Sequence, residues 1–227
     1  MATSPAFRAP ARVTLEGARV VLAPLAAAHA DALHAATHGP EREALWRYMF
    51  SGPFADAAAF HADLEEKARS QEPLFFAVIE KTSGRALGYQ AYLNIEPANR
   101  AVEVGWVVYS PALQRTAAAT EAQYLFARHA FETLGCRRYV WKCDDANAKS
   151  KAAALRLGFV PEGLFRQHMI VKGRNRDTAW FSMLDREWPA RKAAFEAFLA
   201  PDNFDAEGRQ KTSLSALNAR AATADNA

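Results

Sequence analysis

The sequence predicts an α+β or α/β sandwich built on one sheet. Short segments in the first half alternate apolar and polar residues, as strands of an antiparallel meander do. The second half then reads as strand, helix, strand, helix and strand. Of the 227 residues, half are hydrophobic and 23% are charged, which is the composition of an ordinary globular domain.

Strand signals are strongest where β-branched and aromatic residues cluster. Residues 74–80 (LFFAVIE) form such a cluster, and the dipeptide Ser83-Gly84 that follows favours a hairpin turn. The predicted strands are residues 19–22, 74–80, 86–95, 101–109, 138–143, 160–171 and 177–184.

The strand at residues 101–109 (AVEVGWVVY) alternates most clearly. Strict alternation divides its side chains between two faces, with Val102, Val104, Trp106 and Val108 on one, and Glu103, Gly105, Val107 and Tyr109 on the other.

Apolar residues at helical spacing, together with capping residues, predict the helices. Asp56 and Asn147 are placed as N-caps, and Gly135 and Gly158 follow two of the helix ends. The predicted helices are residues 29–37, 56–70, 116–134, 148–157 and 189–199.

Composition divides the chain into a central domain and two tails. Residues 1–11 are expected to form a flexible N-terminal arm, and residues 12–200 to form the domain. Residues 201–227 are polar, rich in small residues and weakly periodic, so we expect an extended or disordered tail.

Charge does not point to a nucleic-acid binder on its own, because the net charge is only +3 with a pI near 8.9. A local excess exists between Arg137 and Arg176, which holds ten Lys and Arg residues and three Asp and Glu residues. This segment suits a phosphorylated ligand, a solvated basic face or an RNA-binding surface. Against RNA, Tyr139 and Trp141 alternate inward on a predicted strand and do not form an exposed stacking platform.

The two cysteines do not suggest a disulfide or a metal site. Cys136 and Cys143 flank a predicted strand that would hold them roughly 23 Å apart. Their spacing matches no zinc motif, and no apolar run reaches the length of a membrane span. We therefore expect a cytoplasmic protein without a metal, a secretory signal or a membrane partner.

The stretch LQRTAAATEA (residues 113–122) lies between a strand and a helix. The first backbone N–H groups of a helix have no intrahelical acceptor and lie at the positive end of its dipole. A strand, a tight loop and a helix N-terminus together suit a phosphate or diphosphate, with Arg115 adding a cation. A plain helix start capped by Thr116 is the alternative.

Several short motifs occur in a characteristic order: Glu103-Val-Gly-Trp106, Gln114-Arg115, Thr120-Glu121-Ala122, Asn147–x–x–Ser150, Leu157-Gly158-Phe159–x–x–Glu162-Gly163 and Asp177. With this order the chain resembles the GNAT superfamily of acyl-CoA N-acyltransferases, and within it the RimJ/RimL-like branch. The resemblance implies a three-layer sandwich on one mixed, mostly antiparallel sheet of about seven strands with helices on both faces. It also implies transfer of an acetyl group from acetyl-CoA to a primary amine, by direct attack in a ternary complex.

The resemblance assigns the cofactor site residue by residue. Backbone groups of Val107, Val108 and Tyr109 would pair with the pantetheine arm, and a strand N–H near Val108 would stabilise the oxyanion. Asn147 would contact the cofactor, and Ser150 would lie near the thioester sulfur and protonate the leaving thiolate. The diphosphate loop falls on Gln114, Arg115, Thr116, Ala117, Ala118, Ala119 and Thr120.

The sequence also departs from the family pattern. Thr116 and Ala118 stand where glycines are usual, and both are compatible with negative φ. The frequent tyrosine acid is replaced by Ala154, and the glutamate base of some RimL-like enzymes by Met169. A catalytically weak acyl-CoA sensor or interaction module with the same fold is therefore the alternative function.

Glu103 is the first candidate for the general base, because it interrupts an apolar strand on the face assigned to Val107 and Tyr109. A structural carboxylate paired with a neighbouring strand is the competing interpretation. His168 is the second candidate, although it neighbours Met169 and is expected to face the other side of its strand. Water is the third.

The acceptor is the least determined part. Trp46, Tyr48, Tyr92 and Glu103 are the candidate substrate-binding residues, and the aromatic residues could equally belong to the core. A protein N-terminus, a small amine or an amino-acid-like compound all remain open as the acceptor, and the chain could form a homodimer.

Overall fold

The structure, a computed structural model, describes residues 6–40 and 42–224. Within them lie the strands β1 (Leu15–Glu16), β2 (Val20–Pro24), β3 (Leu74–Glu80), β4 (Arg85–Glu96), β5 (Ala101–Tyr109), β6 (Arg138–Asp144), β7 (Val160–Val171) and β8 (Arg174–Leu184). The α-helices are α1 (Ala30–Thr37), α2 (Ala57–Arg69), α3 (Ala117–Arg128), α4 (Ala148–Leu157), α5 (Trp188–Leu199) and α6 (Leu214–Ala224). A π-helical turn, His129–Thr133, extends α3 toward Gly135.

The strands form one sheet in the order β1-β2-β3-β4-β5-β6-β8-β7. Every neighbouring pair is antiparallel except β5 and β6, which are parallel and connected through α3. The predicted mixed, mostly antiparallel sheet with helices on both faces is confirmed. The sheet has one strand more than the predicted seven, because β1 is only two residues long and leaves no periodic signal.

Two hydrophobic clusters cover the two faces of the sheet. Helices α3 to α6 pack on one face, called the α3 face, and α1 and α2 pack on the other, called the α1 face. Neighbouring residues of β3 show the division, since Phe76 packs on the α3 face and Phe75 on the α1 face. Burial on both sides explains why β3 reads as a continuous apolar run.

The alternation predicted for β5 is wrong beyond Gly105. Ala91 pairs with Gly105 and Tyr89 with Val108, so β5 carries one residue more than β4 in this interval. Trp106, within this β-bulge, has φ 52°, in the left-handed region that one class of bulge uses.

The bulge exchanges the faces of the residues that follow it. Val107 and Tyr109 join Val102 and Val104 on the α3 face, whereas Trp106 and Val108 pack on the α1 face. Glu103 therefore does not share a face with Val107 and Tyr109.

The N-terminal arm is better anchored than expected. Residues 1–5 lie outside the described residues, but Phe7 packs against the α3-face cluster and the N–H of Arg8 donates to the Leu134 carbonyl at 2.8 Å.

The C-terminal segment is a correction to the sequence prediction. It forms α6, which packs against α5 and α4, with Leu214 only 1% exposed. Asn218 on α6 donates to the Arg156 carbonyl at 3.0 Å. Its apolar contacts are too few per turn to give a clear periodic signal, which is why the sequence read as a tail.

A buried carboxylate connects α3 to the start of β2. The side chain of Glu121 accepts hydrogen bonds from the backbone N–H groups of Ala18, Arg19 and Val20 at 3.1, 2.6 and 2.8 Å. Gly17 is needed beside it, because a Cβ there would lie 2.5 Å from the carboxylate. The contact fixes the first long strand against the helix whose N-terminus forms the candidate site.

No helix in residues 6–40 and 42–224 combines the length and the apolar character needed to cross a bilayer.

Glu121→Ala should lower the free energy of unfolding by at least about 3 kcal/mol, because three backbone N–H groups, of which that of Val20 is buried, lose a charged acceptor. Urea unfolding measures the change. Glu65→Ala is the matched control, since Glu65 makes only an exposed pair with Arg69 on α2, and its effect should be close to zero. A loss below about 1 kcal/mol for Glu121→Ala would contradict this account of the contact.

Candidate functional site

The parallel strands β5 and β6 separate part-way along the sheet. Their pairing runs from Ala101 and Arg138 to Val104 and Trp141 and then stops, although β5 continues to Tyr109 and β6 to Asp144. Beyond Val104, one edge of β5 faces a cleft instead of a strand. We call this the β5–β6 cleft.

The backbone groups that face the β5–β6 cleft follow from the hydrogen bonds of β5. The N–H of Ser110 donates to Leu87 on the β4 side at 2.9 Å, and backbone groups alternate between the two edges of a strand. The Val108 carbonyl also lies on the β4 side, 2.6 Å from where a Cβ on Gly88 would stand. The groups of Val107 and Tyr109 therefore face the cleft, and those of Val108 do not.

The end of β5 is fixed by Gln114. Its side-chain amide donates to the Tyr109 carbonyl at 2.8 Å, so that carbonyl is already occupied. The Tyr109 hydroxyl donates to the side-chain oxygen of Gln90. The side-chain amide of Gln123 donates to that same oxygen and to the Tyr109 hydroxyl, each at 2.8 Å, and these bonds connect β4, β5 and α3. Burial raises the pKa of Tyr109, so its phenol remains a donor.

The N-terminus of α3 lies beside the end of β5. Thr116 is the N-cap, with φ −98°, and its side chain accepts from the Ala119 N–H. The negative φ expected for Thr116 is confirmed. The left-handed position of the loop is Arg115, with φ 63°, which explains why the loop does without glycines at Thr116 and Ala118.

Two amides of this helix start have no acceptor among the hydrogen bonds of the described residues. The Ala119 N–H donates to the Thr116 hydroxyl, and the Thr120 N–H donates to the Thr116 carbonyl. The N–H groups of Ala117 and Ala118 are the two that remain. The Thr120 hydroxyl points elsewhere. It donates to the Thr116 carbonyl and accepts from Arg156 at 2.9 Å, a contact that the sequence did not predict.

The start of α4 forms the opposite wall of the cleft. Asn147 is the N-cap, and its side-chain oxygen accepts from the Ser150 N–H at 3.1 Å. The indole of Trp141 donates to the Ser150 hydroxyl oxygen at 3.0 Å. Ser150 also hydrogen-bonds the Cys143 thiol, a contact that lowers the pKa of Cys143 against the larger, opposite effect of burial.

Glu103 lies on the α1 face at the point where the strands separate. It is 6% exposed, pairs with the Lys142 ammonium at 2.7 Å and accepts from the Asn94 amide at 2.7 Å. Lys142 also lies 4.0 Å from the centre of the Trp180 ring. Alternation along β6 is enough to place Lys142 on the face away from Tyr139 and Trp141. Its pairing with Glu103, however, depends on the register between the parallel strands, which the sequence does not reveal.

A cavity of about 310 Å³ opens beside this ion pair. Its polar lining includes Asn94, Glu96, Glu103, Arg137, Lys142 and Trp180.

His168 lies on the same face as Trp180, contrary to the prediction. A bulge between Phe165 and Met169, with Gln167 at φ 50°, breaks the alternation of β7. His168 Nδ1 lies 2.9 Å from the Thr178 hydroxyl, and its ring contacts Phe165 and Trp180.

Two of the candidate acceptor residues belong to the core in this structure. Tyr92 is fully buried on the α3 face, stacks on Phe126 and donates its hydroxyl to the Phe126 carbonyl at 2.7 Å. Trp46 is 1% exposed and donates its indole N–H to the Thr37 carbonyl at 3.2 Å. Neither presents a polar atom to a ligand.

Tyr48 belongs to a loop that spans the cleft. Residues 43–54 are part of the connection between α1 and α2. The Tyr48 hydroxyl donates across to the Ala146 carbonyl, next to α4, at 3.0 Å. The turn between β7 and β8 holds the same loop, since Lys172 donates to the carbonyls of Trp46, Ser51 and Gly52. Loop 43–54 therefore covers the α1 side of the cleft.

The thiols are not suited to covalent catalysis. Burial raises the pKa of Cys136 to about 12 and also raises the pKa of Cys143. Both thiols are therefore protonated at neutral pH. Among residues 6–40 and 42–224, no three His, Cys, Asp or Glu side chains are grouped to hold a metal ion.

A family model described as an acetyltransferase (GNAT) domain matches residues 19–160, more than half of the chain. The chain belongs to the GNAT acetyltransferase family. The resemblance noted in the sequence is thereby confirmed, and the cleft between β5 and β6 lies inside the matched region.

Three relatives illustrate the range of similarity. A GCN5-related N-acetyltransferase from Brucella melitensis is 47% identical, with a TM-score of 0.93 over 96% of this chain and 100% of that chain. YdaF of Bacillus subtilis (strain 168), a candidate ribosomal N-acetyltransferase by its name, is 30% identical over 109 residues, which are 48% of this chain and 59% of YdaF. The microcin C7 self immunity acetyltransferase MccE, solved with acetyl-CoA and AMP, is 21% identical with a TM-score of 0.65 over 74% of this chain and 93% of that chain, and shares the fold.

Iodoacetamide at pH 7.5 should label neither cysteine of the native protein within the time that labels both in urea. The raised pKa values leave little thiolate, and labelling should accelerate as the pH rises. Mass spectrometry measures the modification. Rapid labelling of Cys143 in the native state would contradict the assignment of an inert thiol.

Proposed function

We propose that the protein transfers the acetyl group of acetyl-CoA to a primary amine by direct attack in a ternary complex. The observation that carries this proposal is the β5–β6 cleft, which opens beside a helix N-terminus where two amides have no acceptor within the described residues. The shared fold of MccE, which was solved with acetyl-CoA, supports the choice of acyl donor.

The diphosphate of the donor would lie at the N-terminus of α3. Ala117 and Ala118 would donate their N–H groups, and Arg115 would add a cation at the rim. Gln114 and Thr116 act indirectly, because Gln114 holds the end of β5 and Thr116 caps the helix. Of the seven loop residues that the resemblance assigns, three therefore offer direct contacts.

The open edge of β5 would hold the pantetheine arm. Val107 and Tyr109 direct their backbone groups to the cleft, although the carbonyl of Tyr109 is occupied by Gln114. The N–H that stabilises the oxyanion is then assigned to Val107 instead of Val108, because Val108 faces β4. Acetyl-CoA supplies the thioester carbonyl that the amine attacks.

Ser150 would protonate the departing thiolate. Its oxygen accepts from Trp141 and its hydroxyl lies in contact with the Cys143 thiol, so its proton would turn to the departing sulfur and be replaced from water. Asn147 accepts from the Ser150 N–H and fixes the backbone beneath it. A buried Ala154 in place of the usual tyrosine leaves this task to Ser150 or to water.

Glu103 would accept the proton of the amine, through water where the acceptor does not reach it. Its carboxylate pairs with the Lys142 ammonium at 2.7 Å and lines the cavity of about 310 Å³. His168 remains the second candidate, since it lies on the same face.

Acetyl-CoA should raise the melting temperature of the protein, by an amount that grows as RT ln(1 + [L]/Kd). Ala117→Pro should weaken acetyl-CoA binding about tenfold or more, because proline removes one N–H from the helix start. The fold should tolerate this change, since Thr116 before it is extended, with ψ 163°.

Calorimetry on both forms measures the affinity, and Ala57→Pro is the control. Ala57 is the first residue of α2, also follows an extended N-cap, and lies away from the cleft. No stabilisation by millimolar acetyl-CoA, or equal affinities for Ala117→Pro and the wild type, would count against the assigned site.

Glu103→Gln should lower kcat/KM by about 10²-fold while acetyl-CoA affinity stays unchanged, because the amide cannot accept the proton. The loss of rate at low pH should also disappear. Glu162→Gln is the control, since Glu162 pairs with Arg138 on the same face but does not adjoin Glu103. If the acidic limb persists in Glu103→Gln, the base is another group, with His168 next.

A further inference from the structure

Arg176 is a buried cation that has no anionic partner in the described part of the chain. It lies on β8, is 7% exposed, and its Nε is buried with no acceptor among the described residues. It forms no ion pair with any carboxylate in residues 6–40 and 42–224. Burying an unpaired charge is costly, so such a group is retained where it meets a counter-ion.

Arg176 lies on the β6 side of the cleft, on β8 just past the end of its pairing with β6 at Thr178. It alternates with Thr178 and Trp180 on the α1 face of β8. Its guanidinium lies 5.0 Å from the centre of the Phe50 ring, and that ring lies 5.3 Å from the ring of Trp106, the bulge residue of β5. The Phe50 ring thus lies between the guanidinium and Trp106, close to where the strands separate.

Neighbouring acidic groups do not neutralise it. Asp177 is on the opposite face and accepts from the Gln167 N–H and the Asn175 amide. Burial raises the pKa of the Cys143 thiol, which therefore stays neutral.

Further cations surround the same opening. On the hairpin, Lys172 and Arg174 donate to backbone carbonyls. On loop 43–54, Arg47 lies over the Tyr48 ring. None of the three forms an ion pair within the described residues. Together with Arg176 these side chains are all cationic, which favours entry of an anionic ligand.

On the basis of the proposed function, we infer that the acceptor is a primary amine that carries its own carboxylate, and that Arg176 binds this carboxylate. Guanidinium and carboxylate match in a two-pronged hydrogen-bonded pair. Only the Phe50 ring lies between Arg176 and Trp106, so an acceptor that reaches from Arg176 to the open edge of β5 is small, as an amino acid is. Arg176 is thus a specificity-determining residue for the acetyl transfer.

The test compares the standard L-amino acids with their amides as acceptors, measured by release of the coenzyme A thiol. At least one amino acid should exceed its amide by tenfold or more in kcat/KM. Arg176→Met should remove this preference, mainly through KM, and Arg176→Lys should keep part of it. Arg186→Met, which removes an exposed arginine after β8, is the matched control and should behave as the wild type.

Two measurements separate this inference from the fold and from the proposed function. Arg176→Met should bind acetyl-CoA normally and should melt no lower than the wild type, because it loses an unpaired buried charge. A lower melting temperature with an unchanged preference would assign Arg176 a structural role through Phe50 and would overturn the inference. Amides preferred over amino acids would overturn it as well.

If the protein binds acetyl-CoA but no acceptor supports turnover, the proposed acetyl transfer is contradicted, while the inference about Arg176 is not. The inference is then decided by melting curves with coenzyme A and each amino acid. An amino acid that stabilises the wild type but not Arg176→Met supports it, and no stabilisation by any of them contradicts it.

Discussion

The separation of two parallel strands determines the geometry of this site. β5 and β6 share a ladder up to Val104 and Trp141, and the two strands then diverge. A strand that loses its neighbour exposes a row of backbone donors and acceptors, which would be costly to bury without a partner. The cleft therefore offers hydrogen bonds to an extended ligand and keeps the rest of the sheet intact.

The bulge at Trp106 is what makes the separation compatible with a packed core. A bulky residue at φ 52° is strained, by an amount on the order of 1–3 kcal/mol. Its ring packs against Phe50 and Phe75, and the Lys67 ammonium lies 4.9 Å from its centre, so burial offsets the strain. The bulge also moves Tyr109 to the α3 face, where it joins Gln90 and Gln123 and holds the free end of β5.

Most of the fold could be predicted because each long element has a local signal. The bounds of β3, β5, α4 and β7 agree with the sequence pattern, and Asn147 and Thr116 cap the helices they were placed on. The two errors of orientation, at Glu103 and at His168, have one cause. A bulge adds residues without changing the apolar composition of the strand. The sequence therefore gives no sign of it, and the faces predicted by alternation are wrong for the residues beyond it.

The sequence predicts those parts of the site whose residues are close together along the chain. Gln114 to Thr120 are contiguous, so a helix start beside a strand end could be inferred from them. The partners that define the chemistry are distant in sequence, as Lys142 is from Glu103 and Trp141 from the β5 edge that it faces. The sequence leaves Tyr92 and Trp46 open between the acceptor site and the core, because aromatic residues suit both and only packing distinguishes the two.

The charges of the cleft are arranged asymmetrically, and this has consequences for orientation. Near the separation point, Glu103 and Lys142 form a pair with little net charge, whereas the wall at Arg176 is positive. An ammonium group is repelled by the second wall and tolerated at the first, and a carboxylate has the opposite preference. An acceptor that carries both groups would enter with its amine directed toward Glu103 and the open edge of β5. Specificity and the orientation of attack would then come from the same electrostatic asymmetry.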